Sequence, residues 1–258
     1  MLKHVVAGFV AVALISSVGW AADLRIGVSS EATTLDPHFY NLSPNVEVNR
    51  HIFDYLVDLD EKNRIVPALA ESWRSIDPLT WEFKLRRGVR FHDGTPFTAD
   101  DIAFTYERAQ NVPNSPASYG QYLKRISRIT VVDDRTITIT TETPYAALLH
   151  ELTNVGIISR KIGADAKTAD YNAGKATLGT GPYKLVEWVQ ADRLVLQRND
   201  AYWGEKPAWD RVIIKPISNP AARTAALLAG DVDLINNVPS SDVARLKQDS
   251  RLNLYQGL

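Results

Sequence analysis

The chain has 258 residues, with 29 lysines and arginines, 30 aspartates and glutamates, and no cysteine. Its formal net charge of −1 gives no sign of the basic surface that nucleic acid or an anionic membrane requires. The lack of cysteine excludes disulfides and thiol chemistry, so the apolar core must hold the fold.

The amino terminus is typical of a secretory signal peptide. Lys3 and His4 precede an uncharged apolar run, residues 5–18, and Gly19 and Ala21 are the small residues of a cleavage site, so we predict cleavage after Ala21 rather than after Ala22. The run is shorter than the ~20 residues of a membrane-spanning helix. We therefore expect residues 1–21 to be removed. The mature, exported protein would then carry 28 basic against 30 acidic residues.

The mature chain alternates between strand and helix patterns. In its first half, residues 24–28 and 80–85 alternate as strands, and residues 45–56 have the apolar spacing of an amphipathic helix. Thr98 and Asp101 stand three apart, as in a capping box, and predict a helix start. Residues 126–132 and 136–140 predict a hairpin around a polar turn.

The second half continues the alternation after a polar, Gly- and Ala-rich segment, residues 161–180, which we interpret as a crossing between domains. Strands are predicted at 183–188, 193–197, 211–215, 232–235 and 251–256. One helix is predicted from Pro220 to Ala229, with Gly230 ending it, and another is predicted to be capped by Ser240.

Three motifs contain residue types that could carry chemistry, and for each a structural role explains the pattern better. Residues 91–101 (FHDGTPFTADD) read as a turn and a helix cap, because no further histidine falls at metal-ligand spacing. Residues 179–183 (GTGPY) run into a strand, not a helix, and so lack the context of a phosphate loop. There the glycines are expected to allow unusual dihedrals. Residues 198–204 (RNDAYWG) place Tyr202 and Trp203 where packing beneath a loop is favoured over stacking on a ligand.

Catalytic motifs are not found in the sequence. The acidic pairs Asp100–Asp101 and Asp133–Asp134 fall at a helix start and a hairpin turn, which does not place two carboxylates across a cleft. Neither a nucleophile elbow nor a zinc-binding His-Glu-x-x-His helix occurs. The sequence therefore predicts a protein that is not an enzyme and that uses no cofactor or metal.

The motifs at residues 91–101, 179–183 and 198–204 occur in a fixed order with three further segments, residues 66–73, 83–89 and 226–234. This set of segments resembles the bacterial extracellular solute-binding proteins of family 5. The resemblance implies a receptor that delivers solutes to the permease of an ABC importer, with short peptides as the commonest ligands. It implies an α/β, periplasmic-binding-protein-like (type II) first lobe with an inserted α+β subdomain, binding ligand in an interlobe cleft. A monomer in the periplasm, without nucleic-acid partners, is expected.

The resemblance also implies domain limits. We map the first lobe to residues 22–50 and 174–258 and the inserted subdomain to residues 51–173. The second lobe is expected beyond residue 258. We therefore expect the 258-residue chain on its own to bind solute weakly or not at all.

Six residues are carried over as ligand-binding candidates: Ser30, Glu31, Thr33, Tyr119, Asn236 and Asn237. Each also has an ordinary explanation, since Glu31 fits a solvated loop carboxylate, the asparagines fit a turn, and Tyr119 fits core packing. The alternatives for the function are another solute (a nickel chelate, an opine or an oligosaccharide), a secreted hydrolase completed by further sequence, and a remnant that has lost transport.

Overall fold

The computed structural model describes residues 22–255, so the predicted signal peptide, residues 1–21, lies outside the described residues. The strands of this part are β1 (Asp23–Val28), β2 (Val57–Leu59), β3 (Ile65–Pro67), β4 (Ala70–Ser75), β5 (Thr80–Leu85), β6 (Ile126–Asp133), β7 (Thr136–Thr141), β8 (Tyr183–Val189), β9 (Arg193–Arg198), β10 (Arg211–Pro216) and β11 (Leu234–Ile235). The α-helices are α1 (Ser43–Ile52), α2 (Ala99–Gln110), α3 (Leu148–Leu152), α4 (Arg160–Gly163), α5 (Thr168–Asn172), α6 (Pro220–Ala229) and α7 (Ser240–Gln248). The predicted α/β class is confirmed.

A five-stranded mixed sheet joins the two ends of the described chain, in the order β11-β1-β10-β9-β8. The strand β1 lies between β10 and β11 and runs parallel to both, whereas β10, β9 and β8 alternate in direction. Parallel neighbours end on the same side of a sheet. The loops that follow β1, β10 and β11 therefore meet at one edge.

A second, four-stranded antiparallel sheet has the order β4-β5-β7-β6, and the short pair β2–β3 forms a third. All of these strands lie within residues 57–141. The helix α2 contributes the buried Ile102, Tyr106 and Ala109 to the same core cluster as β5 and β7. The division into a first lobe (22–50 and 174–258) and an insert (51–173) stays a prediction.

The start of α2 shows how a local sequence signal becomes structure. The Asp101 carboxylate accepts the backbone N–H of Thr98 at 2.8 Å, as the predicted capping box requires. Its other oxygen accepts the backbone N–H of Arg160 at 2.8 Å. One side chain therefore both starts α2 and fixes the beginning of α4.

The predicted helix 45–56 was wrong at its carboxyl end. The helix α1 ends at Ile52, and Phe53 is already extended. The carbonyl groups of Tyr55 and Leu56 instead accept the backbone N–H groups of Leu69 and Ala70 at 3.1 and 2.8 Å. The apolar spacing continues through Leu56 because these residues are buried, but as extended chain rather than helix.

Other local predictions also needed correction. Residues 251–255 form no strand, and Gln256 lies outside the described residues. Ser240 is the first residue of α7 and not its cap, and the predicted strand 232–235 shortens to Leu234–Ile235. Within residues 22–255, no helix combines the length and the apolar character needed to cross a membrane.

The three motifs converge on one junction next to the end of α1, where Asp54 is buried. Its carboxylate accepts hydrogen bonds from Thr180 (2.8 Å), Trp203 Nε1 (2.7 Å) and the Tyr202 hydroxyl (3.1 Å). Burial raises the pKa of Asp54, although the three donors oppose the rise. Tyr202 and Trp203 therefore have the predicted structural role, and the polar partner that fixes them is Asp54.

His92, from the first motif, completes this junction. Its Nε2 donates to Gly181 O at 3.0 Å, and its backbone N–H donates to Gly179 O at 2.9 Å. A Cβ atom at Gly179 would lie 1.9 Å from Ile52 O, so this glycine is required by close approach of two backbones. The predicted unusual dihedrals were wrong at Gly179 and Gly181, since neither has a positive φ.

Candidate ligand-binding edge of the five-stranded sheet

The candidate site is the edge at which β1, β10 and β11 end. In open α/β sheets, ligands bind outside the carboxyl ends of the strands. Val28 and Pro216 are register partners at the ends of β1 and β10, and Gly27 pairs with Ile235 at the end of β11. Ser29, Ile217 and Asn236 therefore begin three neighbouring loops.

Two adjacent asparagines tie the loop after β11 to the loop after β1. Asn236 Oδ1 accepts the backbone N–H of Ser29 at 2.9 Å, and Asn237 Nδ2 donates to Ser29 Oγ at 2.7 Å. Asn236 Nδ2 and Asn237 Oδ1 form no hydrogen bond with another residue in the range 22–255. The pair therefore offers one amide donor and one amide acceptor next to each other in sequence.

Ser30 and Glu31 lie in the same loop as Ser29. Ser30 is exposed. Glu31 is half-buried, and its Oε2 accepts the backbone N–H of Ala191, in the β8–β9 turn, at 2.7 Å. The structure thus brings four predicted residues, Ser30, Glu31, Asn236 and Asn237, into the loops of one sheet edge.

The other two candidates have different surroundings. Thr33 is exposed, and its backbone N–H donates to Asn45 Oδ1 at 2.7 Å, which ties it to the first turn of α1. Tyr119 is only 3% exposed and packs with the rings of His38 and Tyr122. It belongs to the core cluster of the four-stranded sheet and not to the loops of the edge.

A polar network that the sequence interpretation missed fixes the rest of the loop after β1. Both oxygens of Asp36, which is 1% exposed, accept hydrogen bonds from Arg108 of α2, at 2.9 and 2.8 Å. The Thr168 hydroxyl of α5 donates to Asp36 Oδ2 at 2.7 Å, and His38 Nδ1 lies 3.0 Å from Arg108 Nη1. The loop is thereby held by two helices that lie more than 60 residues further along the chain.

This network sets the charge states of its members. Burial alone would raise the pKa of Asp36, but the Arg108 guanidinium outweighs burial and the pKa is lowered. Burial, with help from the Arg108 charge, lowers the pKa of His38 to about 4. His38 is therefore neutral, and its Nε2 donates to Gly156 O at 2.8 Å.

A second residue that the sequence interpretation missed is Arg223, in the first turn of α6. Its guanidinium donates to carbonyl groups of both loops that flank Ser29. The available signal was a single charge in an otherwise apolar and small-residue helix, PAARTAALLA. A charge in such a place needs a polar partner inside the fold.

A groove of about 860 Å³ lies elsewhere, between α2 and the α4–α5 segment, and none of the six predicted residues lines it. Within residues 22–255, no group of three or more histidine, aspartate or glutamate side chains is arranged to hold a metal ion. The carboxyl edge offers hydrogen-bonding amides and one carboxylate, which suits the recognition of a polar solute.

Comparison with known proteins identifies the family. The model described as "Bacterial extracellular solute-binding proteins, family 5 Middle" matches residues 64–258. The chain belongs to this family, and the resemblance seen in its motifs is confirmed.

The relatives share the fold but differ in their ligands. The "Glutathione-binding protein GsiB" of Pectobacterium atrosepticum is 31% identical, with 98% of this chain and 49% of that protein covered. NikZ of Campylobacter jejuni, solved in complex with Ni(L-His), is 29% identical with a TM-score of 0.80, covering 88% of this chain and 45% of that chain. The ABC transporter-associated periplasmic binding protein DppA of Helicobacter pylori, in complex with the peptide STSA, is 27% identical with a TM-score of 0.78, covering 89% and 50%. The chain thus spans about half the length of the relatives it matches.

Proposed function

We propose that this chain contributes the first lobe and the inserted subdomain of an extracytoplasmic receptor for an ABC importer, with short peptides as its ligands. The ligand lies against the carboxyl edge of the five-stranded sheet, in a cleft that a second lobe completes. Closure of the cleft buries the ligand, and the closed receptor delivers it to a membrane permease. The family membership and the named ligands of GsiB and DppA support this proposal.

The lobe limits follow from the same proposal. The first lobe comprises residues 22–50 and 174–258, which contain every strand of the five-stranded sheet. The insert comprises residues 51–173. The protein acts as a monomer in the periplasm, after the leader at residues 1–21 directs its export.

One observation carries the peptide assignment: Asn236 Nδ2 and Asn237 Oδ1 lie at the edge without a hydrogen-bond partner in the part of the chain that the structure describes. A peptide main chain presents a carbonyl acceptor and an N–H donor in each unit. The Nδ2 donor of Asn236 matches the peptide carbonyl, and the Oδ1 acceptor of Asn237 matches the peptide N–H. Recognition of the main chain leaves the ligand's side chains unspecified, as a receptor for varied short peptides needs.

The first test is native mass spectrometry of the periplasmic protein, purified as its gene encodes it. A bound mass that fragments as a short peptide is the expected result. A protein that carries only a sugar or a metal chelate would rule out the peptide assignment, and turnover of ester, peptide or glycoside substrates would favour a hydrolase.

The second test isolates the amide donor. Asn236→Asp keeps an oxygen for the Ser29 N–H and replaces the amide donor with an anionic oxygen that can only accept. We expect calorimetry with glutathione or the peptide STSA to show a loss of affinity of about tenfold or more, because one ligand carbonyl loses its partner. Ser241→Ala, on an exposed residue of α7, is the matched control and should bind as the wild type does.

A further inference from the structure

Arg223 is among the largest of the fully buried side chains in residues 22–255, with an exposed fraction of 2%. It occupies the first turn of α6, directly after the loop that follows β10. Its side-chain partners in the described part of the chain are backbone carbonyl oxygens and include no carboxylate. A buried charge is costly unless it is both paired and hydrogen-bonded. Among the described residues Arg223 has the hydrogen bonds but no carboxylate partner, which points to a role beyond packing.

The guanidinium connects the loops that follow β10 and β11, two strands that are separated in the sheet by β1. Nη1 donates to Ile217 O at 2.6 Å and to Ser218 O at 3.4 Å, in the loop after β10. Nε donates to Asn236 O at 3.1 Å and Nη2 to Asn237 O at 2.9 Å, in the loop after β11. Because β1 lies between β10 and β11, the guanidinium spans the end of β1.

The contacts of Arg223 and the contacts of Ser29 act on the same two residues. Arg223 holds the backbone carbonyls of Asn236 and Asn237, while Ser29 holds one side-chain atom of each. Asn237 also has a left-handed backbone, with a φ of 50°, which a free loop would rarely keep. The backbone of both asparagines is thus held by Arg223, and one side-chain atom of each is held by Ser29.

We propose that Arg223 is a positioning residue of the ligand site: it fixes the loops after β10 and β11 on either side of Ser29, so that the Asn236 and Asn237 amides face the ligand without rearrangement. The inference rests on the proposed function for its effect on affinity. Arginine is required because its planar fork sends five donors in fixed directions, whereas lysine presents three donors from a single nitrogen.

Hydrogen exchange on the full chain tests the positioning itself, with Arg223→Lys and Arg223→Met compared with Leu196→Ala. Leu196 is fully buried in β9, so its truncation lowers stability without touching the loops. We expect both Arg223 variants to exchange faster than Leu196→Ala at the amides of Ser29, Ile217 and Asn236, while β9 stays protected. If Arg223→Met does not fold, Arg223→Lys carries the test, since it keeps the charge and the aliphatic stem. Loop exchange in Arg223→Lys equal to that of the wild type would overturn the proposal.

Calorimetry on the protein as its gene encodes it tests the effect on binding, with glutathione, the peptide STSA and Ni(L-His) as probes. Arg223→Lys should weaken binding of the probe that the wild type takes by about tenfold or more, and Leu196→Ala should not. Unchanged affinity in Arg223→Lys would contradict the proposal. A wild type that binds none of the probes counts against the proposed peptide function, and the exchange result then decides the role of Arg223 alone.

Discussion

Arg108 forms a two-bond ion pair with Asp36, although 72 positions separate them in the sequence. The pair is buried, with 12% of the Arg108 side chain and none of the Asp36 side chain exposed. It links α2 to the loop after β1, the loop in which Ser30, Glu31 and Thr33 lie. The helices outside the five-stranded sheet therefore help to shape the loop that we propose binds ligand.

Removing Arg108 should destabilise the protein strongly. Arg108→Met leaves the Asp36 carboxylate buried without its counter-charge, which costs about 3–5 kcal/mol of unfolding free energy. Arg74→Met is the control, because the Arg74–Glu82 pair leaves 71% of the Arg74 side chain exposed, and such pairs contribute ~1 kcal/mol or less. Urea denaturation of both variants measures the difference. Equal losses of unfolding free energy in Arg108→Met and Arg74→Met would contradict a special role for the buried pair.

His92 should make the stability depend on pH. Burial lowers its pKa to about 4, against about 6.5 for an unfolded histidine. Between these values the unfolded chain binds a proton that the folded chain does not, so the unfolding free energy falls as the pH falls from 6.5 toward 4. For His92 this fall amounts to about 2–3 kcal/mol.

Replacing His92 tests this directly. His92→Gln can still donate to Gly181 O but does not titrate, so its unfolding free energy should fall less steeply over that pH range in urea titrations. His150→Gln, which removes an exposed histidine outside this junction, is the control. His38 and His51, whose pKa values burial also lowers, remain in both variants. If the unfolding free energy of His92→Gln falls with pH as steeply as that of the wild type, His92 does not cause the pH dependence.

The glycine at position 179 should be required for steric reasons. A Cβ atom there would lie 1.9 Å from Ile52 O, so Gly179→Ala must push the end of α1 away and should cost more than about 3 kcal/mol. Gly230→Ala is the matched control, because Gly230 has a φ of 79° and no atom within 4 Å of the added Cβ. It should cost only the ~1–2 kcal/mol of a left-handed residue. The urea midpoint of Gly179→Ala should therefore be lower than that of Gly230→Ala. A higher midpoint for Gly179→Ala would show that close approach to Ile52 is not the reason for this glycine.

Local patterns were sufficient to predict most elements. The period-two alternation at residues 80–85 and the Thr98–Asp101 spacing each act within a few residues, and β5 and α2 form where they indicated. Pro220 and Gly230 marked the ends of α6 for the same reason. Such signals need no knowledge of what packs nearby.

The features that were missed depend on distant partners. The helix α1 stops at Ile52 because residues 69 and 70 pair with the chain that follows, and no local breaker marks the place. No local pattern distinguishes Asp54 in the sequence, because its hydrogen-bond donors, Thr180, Tyr202 and Trp203, come from a distant part of the chain. At the candidate site, the sequence supplied the loop residues by resemblance, but the role of Arg223 depends on the sheet order, which places the loops after β10 and β11 on either side of β1.

Glu31 provides the sharpest test of how a peptide would be oriented at the edge. One of its oxygens accepts the Ala191 N–H, and the other has no hydrogen-bond partner among residues 22–255. If that free oxygen receives the terminal ammonium of a peptide, Glu31→Gln keeps the Ala191 contact and removes the charge that pairs with the ligand. A charge-assisted hydrogen bond contributes about 1.5–3 kcal/mol, so affinity for STSA should fall by about ten- to a hundredfold.

An acetylated peptide separates this role from a structural one. Acetylation of the STSA amino terminus removes the ammonium, so wild type and Glu31→Gln should bind the acetylated form equally weakly in calorimetry. The β8–β9 turn should be undisturbed in both, because the amide of glutamine still accepts the Ala191 N–H. Equal affinity of wild type and Glu31→Gln for unmodified STSA would show that the ammonium lies elsewhere, and the peptide would then have to be oriented by groups outside the loop after β1.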